Sequence, residues 1–218
     1  MNHLLSSGFD ERNQALAPLV RARLASFCAE PAQHARFLNM LSLLEHIGSR
    51  KIATSPAMAQ AGQDELRHLA EETRHAFFFK RAAEKMARAA LDYSAGNTMA
   101  GAAARFYMGR LDAEIAHALG KAAPVVPYLY MSLIVELRAV WTYRLYQAAL
   151  TAAHCGLTLN SVLAEEELHL SAMLARLLAA DNGAAQRIAL FCGFEKVRFA
   201  RLWAAIEDES TRARLAAE

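Results

Sequence analysis

Six side chains of this sequence form a duplicated pattern of metal-ligand type: Glu45, then Glu72 and His75, then Glu136, then Glu166 and His169. Each Glu-x-x-His pair is spaced i, i+3. On a helix that leaves the two side chains ~60° apart in rotation and ~4.5 Å apart in rise, so both reach one point. Glu136 follows Leu133, Ile134 and Val135 and precedes Leu137, and a helix that is apolar all round is buried. A lone buried carboxylate is costly unless it is paired or binds metal. Glu45 poses the same problem, with Leu41, Ser42, Gly48 and Ser49 as helical neighbours. Carboxylate oxygens together with imidazole nitrogens suit Fe, Mn or Zn better than Mg or Ca. Four carboxylates and two histidines neutralise two divalent ions. One Glu-x-x-His arises easily by chance. The weight lies in its repetition in apolar context, with 27 residues from Glu45 to Glu72 and 30 from Glu136 to Glu166.

Rival readings exist at several positions. Glu65 and His68 make another Glu-x-x-His, on the face of Glu72 but ~10.5 Å away along the axis. A helix starting at Pro56 puts Glu65 level with Glu45. A loop around Ala61-Gly62-Gln63-Asp64 restores Glu72, which the matching 27- and 30-residue steps favour. His68 then becomes an extra ligand or a supporting group. In the second half, a turn at Gly156 sets Glu136 and Glu166 at different heights unless the helix ends early or the loop is long. The plain alternatives are a salt bridge from Glu45 to Arg50 or Lys51 and a buried pair of Glu136 with Arg138. Glu165 and Glu167 read as solvated, and Glu114 with His117 as surface. Tyr143, seven residues after Glu136, reads as core or as a redox or supporting group. Phe77, Phe78 and Phe79 read as core or as the wall of an apolar pocket.

Long helices must position these residues. Of 218 residues 55% are hydrophobic, with only 10 Gly and 5 Pro, and Ala, Leu, Glu and Arg dominate, so the chain reads all-α. One domain over 1–218 is expected. Its core spans about 31–180 and its flanking helices about 10–28 and 184–207. Breaks are expected at Ser6-Ser7-Gly8, Thr54-Ser55-Pro56, Gly96-Asn97, the connector Ala123-Pro124-Val125-Val126-Pro127, Gly156 and Asp181-Asn182-Gly183. Helices are expected from Met99 to Leu119 and from Tyr128 to about Ala153. Twenty-four basic and 22 acidic residues give a net charge of +2, with no basic block to demand nucleic acid. Cys28, Cys155 and Cys192 are far apart, which fits a reducing cytoplasm. No signal peptide or membrane span is expected.

The segments "LLEHIG", "EETRHA", "IVELRA" and "AEEELH" resemble the ferritin-like di-iron carboxylate superfamily over roughly residues 31–178. That resemblance implies a ferritin-like four-helix bundle with additional flanking helices. It also implies two iron ions, with manganese or a mixed pair as alternatives. Glu72 and Glu166 would bridge, Glu45 and Glu136 would be terminal, and each histidine would cap one metal. The expected function is a di-metal oxidoreductase using O2 or peroxide on a small organic substrate, with an external electron donor. The alternatives are a ferroxidase, iron-handling or peroxide-detoxifying protein, and a helical structural protein without metal. A homodimer is possible in this reading. The small residues Ser42, Gly48, Ser49, Ser132 and Ala139 are expected to leave a cavity beside the site.

Overall fold

The computed structural model describes residues 2–121 and 125–215. Regular structure there is helical throughout: α1 (Asn2–Asn13), α2 (Ala17–Ala29), α3 (Pro31–Thr54), a 3-10 turn (Pro56–Gln60), α4 (Gln63–Ala87), α5 (Gly101–Leu119), α6 (Val125–Ala152), α7 (Asn160–Ala180) and α8 (Ala184–Leu215). Buried residues from Phe9 in α1 to Ile206 in α8 join one hydrophobic core.

Several boundaries differ from expectation. Ser6, Ser7 and Gly8 lie inside α1, and the helix expected over residues 10–28 is broken after Asn13. The Asn13 side-chain amide donates to Phe9 O at 2.8 Å, competing for a carbonyl of the last turn. Pro18 then sits in the first turn of α2, where its missing N–H costs nothing. Helix α6 starts at Val125, ahead of Tyr128, with Pro127 in its first turn. Residues 123 and 124 of the expected connector lie outside the described residues. Helix α8 continues past Glu207 to Leu215, held by Glu207 and Glu209, which pair with Arg23 and Arg36.

Two hairpins carry the centre. Helices α3 and α4 pack along their length, antiparallel, as Ser42 Oγ donating to Ala76 O at 2.7 Å and Lys80 Nζ donating to Asn39 Oδ1 at 2.9 Å fix their register. Helices α6 and α7 form the second hairpin. Its seven-residue loop, 153–159, folds back on α6, where Gln147 Oε1 accepts from Leu159 N at 2.6 Å. That long loop brings Glu136 and Glu166 to one height in spite of the off-centre Gly156. The hairpins meet where α4 touches α7, while α5 and α8 pack together and α2 covers α6.

Helix α6 is central and mostly buried, with Arg144 on its exposed side. It is long and apolar enough by length and composition to cross a membrane, and 72% of that window is buried inside the fold. Arg138 on this helix does not pair with Glu136. It forms a buried bidentate pair with Glu195 of α8, at 2.7 and 2.6 Å, its guanidinium 3.8 Å from the Phe199 ring centroid.

Candidate metal centre

Four helices each present buried ligand-type side chains to one place. Helix α3 brings Glu45, α4 brings His68, Glu72 and His75, α6 brings Glu136, and α7 brings Glu166 and His169, all buried. They fall into two overlapping groups, His68, Glu72, Glu136 and His169, and Glu45, Glu72, His75 and Glu166. Within each group one donor atom per residue lies within 4.8 Å of the others. Glu72 belongs to both. Glu166 touches a histidine with each oxygen, Oε1 at 3.1 Å from His75 Nδ1 and Oε2 at 3.0 Å from His169 Nδ1. All six residues singled out from the sequence pattern are therefore brought together, and His68 joins them.

Local structure decides between the rival Glu-x-x-His pairs. The Pro56–Gln60 turn and the extended backbone at Ala61 and Gly62 delay the start of α4 to Gln63. Glu65 therefore sits in the first turn, where its Oε2 accepts from Gly62 N at 2.9 Å and its carboxylate pairs with Arg176. It is a cap and not part of the cluster, whereas His68, one turn deeper, is. Gly48 makes room on α3: a Cβ there would stand 3.0 Å from Glu72 Oε2.

Each imidazole has one nitrogen facing the cluster and the other held from outside. His75 Nε2 lies 2.7 Å from Glu165 Oε2, His169 Nε2 lies 2.7 Å from Glu71 Oε2, and His68 Nδ1 lies 2.9 Å from the Tyr128 hydroxyl. Such outer partners fix the ring orientation and tautomer of metal-binding histidines. Glu165, expected to be solvated, is thus a positioning residue, although it also pairs with the exposed Arg74 at 2.6 Å. Glu71 went unnoticed in the sequence. The signal that could have found both is the doubled glutamate of each motif, Glu71-Glu72 and Glu165-Glu166. Tyr143 is buried and its hydroxyl donates to Glu45 Oε1. Lys51 pairs with Asp112 and not with Glu45. Glu167 pairs with Arg144 and Glu114 with Arg198. Of the three phenylalanines Phe79 is core, Phe78 packs partly buried against it, and Phe77 is 63% exposed.

The electrostatics are those of anions crowded out of water. Burial, then the neighbouring Glu136 and Glu45, raise Glu72 well above the usual carboxylate range. Burial and Glu166 push Glu45 up to about 7, and burial and Glu136 raise Glu166. Burial also acts on Glu136, but hydrogen bonds from His169 and His68 hold it well below the ordinary value. Burial opposes charge on the imidazoles, yet the carboxylates raise His68 to about 9, His75 to about 10 and His169 to about 12. The cluster therefore demands positive charge, which protons or metal ions can supply.

The residues present, imidazole nitrogens and carboxylate oxygens in two overlapping groups, could hold metal ions. Glu72 Oε1, His75 Nδ1 and Glu166 Oε1 are buried without a well-directed hydrogen bond, although His75 Nδ1 and Glu166 Oε1 stand 3.1 Å apart. Leaving such an atom unsatisfied costs about 1–3 kcal/mol. These buried polar atoms face one another inside the cluster, where a metal ion could be held.

A cleft of about 460 Å³ reaches the cluster from the surface, with His68, Glu72 and Glu136 on its floor and Ile52, Met108, Met131 and Val135 among its walls. A narrower apolar cavity of about 60 Å³ continues past Glu45, Glu72 and Glu136 toward Leu202 and Trp203. Of the small residues expected to leave space, Gly48 and Ser132 line the cleft and Gly48 and Ala139 the inner cavity. Ser42 and Ser49 are instead used in hydrogen bonds to Ala76 O and His46 O. Compared with protein-family models, curated proteins and solved structures, the chain finds no match.

Proposed function

We propose that this protein is a di-metal oxidoreductase, di-iron in the first instance, with the helices α3, α4, α6 and α7 acting as a ferritin-like bundle around the metals. The observation that carries this reading is the pair of overlapping buried ligand groups, sharing Glu72 and joined by Glu166. Glu45, Glu72, His75, Glu136, Glu166 and His169 would hold the ions, with Glu72 and Glu166 between them. When bound, such a pair supplies the capacity to reduce O2 or peroxide while an organic substrate is oxidised, with electrons from an external donor.

The chain's own residues do the rest. Glu165 and Glu71 hold His75 and His169 by their outer nitrogens, so the inner nitrogens are presented as acceptors toward the metals. Tyr143 donates a hydrogen bond to Glu45 and limits its swing. Burial of the cluster carboxylates strengthens each charge interaction inside. The cleft has room for a small organic molecule beside the part of the cluster formed by His68, Glu72 and Glu136. Oxygen uptake by protein reconstituted anaerobically with ferrous iron tests this. Uptake limited to one burst per site, even with excess ferrous iron, supports a substrate-dependent oxidoreductase. Sustained uptake on ferrous iron alone would replace it with iron oxidation.

A further inference from the structure

The duplicated pattern supplies one histidine to each half, yet the structure places three in the cluster. One group contains two imidazoles and two carboxylates, the other one imidazole and three carboxylates. Resting on the di-metal reading above, we infer that His68 is a seventh ligand and that the two metal positions are chemically unequal. The position bounded by His68 and His169 prefers nitrogen-seeking metals and fills first.

Three observations support this. His68 has the arrangement of the other two histidines. Its outer nitrogen, Nδ1, is held by Tyr128 at 2.9 Å, and its inner nitrogen, Nε2, faces Glu136 at 3.2 Å and Glu72 at 3.5 Å. Its ring centroid lies 4.5 Å from that of His169, so the two imidazoles form one side of the group. Imidazole suits Zn, Fe, Co or Ni, whereas carboxylate oxygen suits Mn and Mg better. His68 also lines the open cleft with Glu72 and Glu136, while His75, Glu166 and His169 line neither cavity and Glu45 lines only the inner one. The two-histidine position is thus the one that faces incoming metal and substrate.

The test is a titration of the metal-free full-length protein with Co(II), followed by the visible absorption of the bound ion. Two equivalents are expected, the first bound about 10-fold or more tightly than the second, the order of effect that a change in ligand environment produces. In His68→Ala the tight step disappears and two equivalents of similar, weaker affinity remain, while His75→Ala keeps the tight step and loses the weak one. His68→Asn, whose amide stands where Nδ1 does and can retain the link to Tyr128, gives the same loss as His68→Ala if the imidazole is a ligand. If wild type and His68→Ala both bind two equivalents with one affinity, His68 is only a hydrogen-bonded link between Tyr128 and Glu136, and the inference falls while the di-metal reading stands. If wild type binds no Co(II), the di-metal reading itself fails. Should His68→Ala not fold, His68→Asn carries the test, and a single affinity for both equivalents in wild type overturns the inequality by itself.

Discussion

Glu165 of α7 holds His75 of α4, with Oε2 2.7 Å from Nε2, and the relation is returned by Glu71 of α4, which holds His169 of α7 at the same distance. Each helix thus orients the other's histidine. Glu165→Ala should weaken metal binding by about 10–100-fold with the helical spectrum unchanged, because the ring loses its orientation and not its fold. Competition titration against a chelator of known affinity reads this. Unchanged affinity would mean that the Glu165–His75 contact is a surface ion pair without influence on the cluster.

Gly48 is the close-approach point between α3 and the Glu72 carboxylate. Alanine is favoured over glycine inside a helix by about 1 kcal/mol, so Gly48→Ala should not lower helix stability. Its Cβ, however, would meet Glu72 Oε2 at 3.0 Å. The expected outcome is an unchanged or slightly higher thermal midpoint together with weaker metal binding, seen by combining calorimetry with metal analysis. A variant that binds metal as wild type would show that Glu72 has freedom the packing here does not suggest.

Away from the cluster, His34 is buried and shares a hydrogen bond with Tyr146. Burial lowers its pKa from 6.5 to about 4. The unfolded chain therefore takes up the proton first as pH falls. Stability contributed by neutral His34 is complete above about pH 6.5, declines down to about pH 4, and is constant below. The full loss is on the order of 3 kcal/mol at most. The difference in unfolding free energy between wild type and His34→Asn, measured at pH 7 and at pH 4.5, should shrink at the lower pH. A difference independent of pH would contradict a neutral buried imidazole.

How far the sequence announced this arrangement depends on how local each feature is. The Glu-x-x-His spacing is local, so Glu72 with His75 and Glu166 with His169 could be paired on paper. The burial of Glu136 followed from its apolar neighbours. The place of His68 was open because it depends on where α4 begins, which the turn at Pro56–Gln60 and Gly62 settles. Glu71 and Glu165 act across the contact between α4 and α7, and nothing in either helix states which residues will face each other there. The partner of Arg138 was equally hidden, since Glu195 lies 57 residues away on a helix that only the packed fold brings alongside. The break after Asn13 was missed because Pro18 and the Asn13 side chain mark it only weakly.

The central claim is that this cluster holds two metal ions, and elemental analysis tests it most directly. The protein is purified without chelator, reconstituted anaerobically with ferrous iron and freed of excess metal. The account predicts about two metal ions per chain in wild type, and a marked loss in both Glu136→Ala and His169→Ala, which remove ligands from one shared site. A folded, helical wild-type protein that retains no metal would contradict it. The buried glutamates and histidines would then be a hydrogen-bonded polar network charged by protons alone.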